Sequence, residues 1–254
     1  MLFRSQDGFA RAYLSDRFRP LDNLLIVGAA LPVLAENPDL QVRTATITDS
    51  RLYLQVSFPK IAGEIRVGDV VEFGFTLTTS EVGQGKVDVQ KWFHQLKCKN
   101  GYVGESIFSR RHVGRRLGDV EEDYGIFKDE TIEAEMKAFQ LRLRDILADA
   151  INEKAFREDL TRFKNAAGDT FLHSEAESVV KNVTKHFQFR EEDMKVVFNR
   201  MMQEGGQLSR LSLADAVTFV ANHEDIPADR VYDMERAGYD LVAMPAATWK
   251  GLVA

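Results

Sequence analysis

Residues 110–116, Arg110-Arg111-His112-Val113-Gly114-Arg115-Arg116, put four guanidinium groups within seven positions. Each guanidinium offers a planar fork of N–H donors that matches phosphate oxygens, so the run reads as a phosphate-contacting element. Lys91, Lys97 and Lys99 lie shortly before it, with Trp92 and Phe93 interleaved. Cations that follow a sugar-phosphate backbone and aromatic faces that stack bases are what sequence-independent binding of single strands requires. Arg11, Arg17 and Arg19 form a second basic patch near the N-terminus. The competing reading is structural: the arginines pair with the acidic run Asp119–Asp123, and Trp92 and Phe93 belong to the core.

Other candidates are weaker. Ser80-Glu-Val-Gly-Gln-Gly-Lys86 has the look of a phosphate loop but lacks glycine at Ser80 and a hydroxyl residue at Val87. It reads as a turn between strands whose backbone N–H groups form, at most, a local anion nest. Cys98 follows His94 by four positions, which on a strand puts both on one face; inert packing of a lone cysteine is the better expectation. The five histidines, His94, His112, His173, His186 and His223, show no metal-ligand spacing. Asp119, Glu121, Glu122 and Asp123 are the only residues that suggest magnesium-dependent nuclease chemistry, and an exposed acidic linker explains them as well. The expectation is therefore a non-enzymatic protein without catalytic residues, metal or cofactor.

The elements that must position these groups change period along the chain. Asp7–Arg19 reads as a short amphipathic helix ending at Pro20, and Asp22–Ala35 as a second helix with Asp22 as its cap. Val42–Thr48 is rich in β-branched residues. Leu52, Leu54, Val56 and Phe58 then alternate with polar neighbours, predicting a half-buried hairpin around Asp49-Ser50. Val71, Phe73, Phe75 and Leu77 repeat the alternation, Val87–Cys98 reads as a long strand, and Asn100-Gly101 as a tight turn into Tyr102–Ser109. Four or five antiparallel strands with the opening helices on one face follow.

From Asp129 the period is helical. Ile132, Met136, Phe139, Leu143, Ile146 and Ala150 mark one seam, which Phe156, Leu160 and Phe163 continue. Ser174 with Glu177 suggests a capping box, Met194–Met202 a helix stopped by Gly205-Gly206, and Ser212 with Asp215 the start of another. Pro227 suits the first turn of a further helix that Gly238 ends, with Tyr239–Met244 as a closing strand. The fold class is α+β. Residues 1–118 form a basic sheet domain with N-terminal helices, and residues 119–254 an acidic, mostly helical region with a candidate final strand.

Charge supports that division. Residues 1–118 carry 16 Lys and Arg against 12 Asp and Glu, a balance of +4, and the remainder 17 against 27, a balance of −10. A polyanion should prefer the first part, while the second recruits other partners. With 44% hydrophobic residues the chain can bury a core unaided. One cysteine excludes an internal disulfide and fits a cytoplasmic setting. No apolar run reaches the ~18 residues of a membrane span, and the N-terminus lacks a signal-peptide layout.

Ala10-Arg-Ala-Tyr-Leu-Ser-Asp-Arg-Phe-Arg-Pro-Leu-Asp-Asn23 resembles the opening signature of the phage/plasmid-like protein family, a domain of unknown function. Thr79-Ser-Glu-Val-Gly-Gln-Gly85, Cys98-Lys-Asn-Gly101 and Arg111-His-Val-Gly-Arg115 are similar to further stretches of that family in the same order. So are Leu211–Thr218 and Asp229–Gly238, with Gly238-Tyr239 departing from a common glycine pair. The resemblance implies a setting in phages, plasmids and integrated elements, and carries over no catalytic residue. Among proteins of such elements are annealing proteins of the Rad52 type, an analogy of fold that does not fix function.

Three expectations follow. The first is a single-stranded-DNA-binding protein, with strand annealing in recombination as its candidate role and a homo-oligomer as its candidate assembly. Arg110, Arg111, Arg115, Arg116, Lys97, Lys99 and Lys91 would grip phosphates there, with Arg11, Arg17 and Arg19 as a second patch, and Trp92 or Phe93 would stack bases. The second is a protein-interaction factor acting on a host protein through the acidic region. The third is the metal-dependent nuclease.

Overall fold

The computed structural model describes residues 2–6, 8–14, 21–111, 129–204, 207–221 and 226–253. Among them the chain is α+β, with seven strands in two antiparallel sheets and eight α-helices. None of these helices is long and apolar enough to cross a membrane. The chain divides into two compact units that interleave along the sequence. Unit 1 comprises Met1–Val56, Phe75–Gln90 and Ser106–Ile151, and unit 2 comprises Ser57–Gly74, Lys91–Glu105 and Asn152–Ala254.

Strands β1 (Leu2–Gln6) and β2 (Phe9–Leu14) pair as an antiparallel hairpin in unit 1, with Phe3 opposite Tyr13 and a register shift at Arg4/Ser5. A helix over Asp7–Arg19 is thus overturned within the described residues. The period of Phe9-Ala-Arg-Ala-Tyr13 is two, and Gly8 sits at φ +83°, where glycine is at ease. Helix α1 (Asn23–Glu36) follows as expected, but the Asp22 side chain does not cap it. That carboxylate instead meets Arg4 at 2.7 Å, and the Asp22 carbonyl accepts the N–H groups of Leu25 and Ile26.

The second sheet is a meander of β3 (Gln41–Ile47), β4 (Leu52–Arg66), β5 (Asp69–Thr79), β6 (Val87–Gln95) and β7 (Asn100–Arg110) in sequential order. Val71, Phe73, Phe75 and Leu77 are fully buried as their alternation requires. Their polar neighbours are buried too: Gln55, Ser57, Glu72, Thr76, Thr78, Asp88 and Gln90. Of the expected half-buried hairpin, β3 stays exposed or half-buried, whereas β4 is buried on both faces from Leu52 to Phe58, as is most of β5. The turn between β6 and β7 is Leu96–Lys99, closed by Lys99 at φ +55°, and Asn100-Gly101 already belongs to β7. Asn100 is buried and donates to the Asp215 carbonyl at 3.0 Å. Gly101 leaves room for the Glu235 carboxylate, which a Cβ there would strike.

In unit 1, α2 (Asp129–Asp149) packs on α1, and Phe139, Leu143 and Leu147 face inward. The seam does not continue as one helix. The chain breaks at residues 150–152, and α3 (Glu153–Gly168) starts afresh in unit 2, where Asn152 Oδ1 accepts from Ala155 N at 3.1 Å.

Unit 2 also holds α4 (Ala176–Phe187), α5 (Glu191–Glu204), α6 (Arg210–Val220), α7 (Ala228–Ala243) and α8 (Ala246–Val253). Ser174 with Glu177 forms no box; the Leu172 N–H donates to Glu175 Oε2 at 2.7 Å, two residues earlier. Likewise α6 is capped by Ser209, whose side chain accepts from Ser212 N while its own N–H donates to Ser212 Oγ. Gly238 does not end α7. It lies inside the helix, where a Cβ would collide with Thr218, so it is a close-packing glycine. The closing strand over Tyr239–Met244 is accordingly helix through Ala243, followed by α8. Gly205-Gly206 and the charge boundary near residue 118 lie outside the described residues.

Candidate functional site

Six of the ten expected cations turn inward or lie outside the described residues. The Arg11 guanidinium sits 3.5 Å from Glu81 and donates to the Asp49 carbonyl at 2.8 Å. Lys91 Nζ lies 2.9 Å from Asp159 and 3.2 Å from Glu105. Arg110 and Arg111 at the end of β7 are exposed, with the Arg110 guanidinium 4.5 Å above the Phe139 ring. Lys97 and Lys99 are exposed on the β6–β7 turn. Arg17, Arg19, Arg115, Arg116 and the acidic run Asp119–Asp123 lie outside the described residues.

The expected stacking residues are corrected outright. Trp92 is 2% exposed and Phe93 0%, so no base can reach either. Phe93 stacks on Tyr239 at 5.5 Å and meets Phe73 and Phe163, the aromatic core of unit 2. Trp92 lies against His94 at 5.4 Å, near-parallel. His94 in turn faces Glu72 at 3.6 Å. Among the described residues no group of three His, Cys, Asp or Glu is arranged to hold a metal.

An aromatic surface exists elsewhere. On the β1–β2 hairpin Phe3, Phe9 and Tyr13 are 51%, 76% and 67% exposed. Phe3 and Tyr13 contact edge-to-face across the strands at 5.2 Å. The hairpin's arginines are engaged elsewhere: Arg4 and Arg11 both reach Glu81, which also accepts the Asn23 N–H at 2.6 Å. The supposed phosphate loop thus contributes a carboxylate acceptor, and its Gln84 N–H is taken by Ser80 Oγ. The signal that could have revealed the hairpin is Asp7-Gly8 between two alternating runs, a strong hairpin dipeptide.

Unit 2 contains a polar cluster that residue spacing did not disclose. Asp159 on α3 is wholly buried; its Oδ1 accepts from Tyr239 Oη at 2.6 Å and Arg162 Nη1 at 3.0 Å, and its Oδ2 from Lys91 Nζ. Arg162 Nη1 also donates to the Tyr239 oxygen at 2.8 Å and to Glu105 at 3.0 Å. Burial pushes the Tyr239 hydroxyl far above its ordinary range, and its bond to Asp159 adds to the effect. The Glu105 carboxyl, more than half exposed, is held low: its bonds to Lys91 and Arg162 outweigh its partial burial. Two cations and two carboxylates balance around the one wholly buried carboxylate, Asp159.

The chain matches no protein-family model, no curated protein and no solved structure.

Proposed function

We propose that the protein binds single-stranded DNA in the cytoplasm, as a protein of a phage, plasmid or integrated element that assembles on strands to anneal them. The observation that carries the reading is the exposure of three aromatics on the β1–β2 hairpin: Phe3 and Tyr13, paired on one face, and Phe9, paired with Gln6 on the other. Every base has a π-face, so exposed aromatics take successive bases without regard to sequence, at about 1–3 kcal/mol per stacked base. Arg110 and Arg111, exposed in the same unit, supply phosphate contacts. The resemblance of Ala10–Asn23 to the opening of the phage/plasmid-like family supplies the setting.

Fluorescence anisotropy with labelled oligo-dT across a salt series tests this, alongside annealing of complementary strands. Two phosphate contacts give a log–log salt slope of about −1.4. Phe9→Ala should weaken binding about tenfold and leave that slope intact, while Arg110→Ala with Arg111→Ala should flatten it. Wild-type protein that leaves oligo-dT free at micromolar concentration refutes the proposal.

A second reading is favoured by one observation: the hairpin's own arginines are tied to Glu81, while Phe3, Phe9 and Tyr13 stay exposed. A surface that apolar suits a protein partner, such as a host factor. Stoichiometric capture of one protein after nuclease treatment, lost in Phe9→Ala, would support it over DNA.

A further inference from the structure

A cleft of about 490 Å³ opens in unit 2, between the C-terminal end of α3, the start of α6, the end of α7 and the first residue of α8. That volume suits a small ligand. Its polar wall carries Arg162, Lys164, Asn165, Asp169 and Arg210, and Val242 to Met244 with Ala246 make the apolar side.

Arg162 is the organising group. All of its bonds, to Asp159, Glu105 and Tyr239, leave from Nη1. The Nε–Nη2 edge has no partner among the described residues, and the side chain is 39% exposed. A guanidinium fastened at one nitrogen, with its opposite edge open, is set to take two oxygens of one anion in parallel. Its partners hold it firmly protonated. The negative groups nearby have cationic neighbours: Asp240, which feels Glu105, also feels Arg236. Asp169 pairs with Arg210 at 2.7 Å, and the Met244 carbonyl at the end of α7 accepts from Arg210 Nη1. Lys91 and Arg162 offset Asp159 and Glu105. Exposed Lys164 is left as the unmatched charge of the wall, and the first turn of α8 adds its unpaired N–H groups.

We infer that this cleft is a binding site for a small oxyanion, a phosphate or carboxylate group on a compact partly apolar molecule, gripped by the open edge of Arg162 and by Lys164. The site stands on residues unrelated to the hairpin, so it holds whether or not the protein binds DNA.

Isothermal titration of the full chain with inorganic phosphate, pyrophosphate and citrate tests it, with chloride at matched ionic strength as control. At least one of the three should bind with a dissociation constant of about 1 mM or tighter. Whether phosphate or carboxylate chemistry is preferred follows from which probe wins. Lys164→Ala should weaken binding about tenfold, and Arg162→Lys, which keeps the charge but not the fork, by a similar factor. Ala246→Glu places a carboxylate on the exposed rim, where a helix start tolerates it, and should abolish binding with the thermal transition unchanged. Phe9→Ala should leave anion binding intact even where oligo-dT binding is lost. No heat with any of the three anions, or unaltered affinity in Lys164→Ala and Ala246→Glu, overturns the inference.

Discussion

Replacing Tyr239 by phenylalanine removes one oxygen from a ring that is 1% exposed and stacked on Phe93, so packing is conserved while a polar contact is lost. That oxygen donates to Asp159 at 2.6 Å and accepts from Arg162 at 2.8 Å. Asp159 is a wholly buried carboxylate, and a hydrogen bond to a charged group contributes about 1.5–3 kcal/mol. Arg162 and Lys91 stay on Asp159, so the carboxylate is not orphaned and the loss belongs near the middle of that range, about 2 kcal/mol. For a chain of this length that lowers the melting temperature by about 4–8 °C. Urea unfolding followed by circular dichroism measures it directly. A double-mutant cycle with Asp159→Asn should return a coupling above about 0.5 kcal/mol, since the two groups touch. A single-mutant effect below about 0.5 kcal/mol, the size typical of surface changes, would mean that Tyr239 does not serve the buried carboxylate.

Gly238→Ala sets helix propensity against packing. The gain of about 1 kcal/mol is exceeded by the collision with Thr218, whose hydroxyl is tied to the carbonyls of Ala214 and Asp215. The expected net loss is about 1–2 kcal/mol by chemical denaturation, and a stabilised variant would contradict the close approach. Glu81→Ala removes the acceptor shared by Arg4, Arg11 and the Asn23 N–H, so limited proteolysis should cut the first fourteen residues faster than in the wild type. Equal rates would show the hairpin to be held by something else. Tyr102 and Tyr239 both ionise far less readily in the fold, through burial first and then through Asp215 and Asp159 respectively. Raised native values confer stability that is whole below the unfolded value of about 10 and drains away as pH climbs past it. Through these two groups urea midpoints should fall in alkali, with late tyrosinate absorbance appearing together with unfolding. Full tyrosine ionisation of the native protein near pH 10 would contradict this.

The β-meander and most helices were legible because their apolar periods match what the core demands: Val71 to Leu77 alternate and are buried, and Phe139 and Leu143 recur at helical steps. The errors share a cause. The amphipathic composition of Asp7–Arg19 masks its period of two. Gly238 and Asn100-Gly101 look like local punctuation in sequence, whereas both glycines serve tertiary close approach to Thr218 and Glu235. No local signal distinguishes these uses. The same holds for the site. Trp92 and Phe93 have the composition of a stacking platform, but the strand turns both into the interior. The Lys91–Asp159–Tyr239 cluster joins residues up to 148 positions apart in sequence, a separation at which spacing carries no information.

Interleaving has a practical outcome for anyone dissecting this molecule. Because the chain crosses between its units at residues 56/57, 74/75, 90/91, 105/106 and 151/152, no single cut yields either one whole. A fragment ending at Ile151 would keep Phe73 and Phe93 but lose Phe156 and Phe163, their aromatic neighbours from α3. It should expose a greasy strand surface and aggregate. Function is best mapped here by point substitution, with truncation left aside.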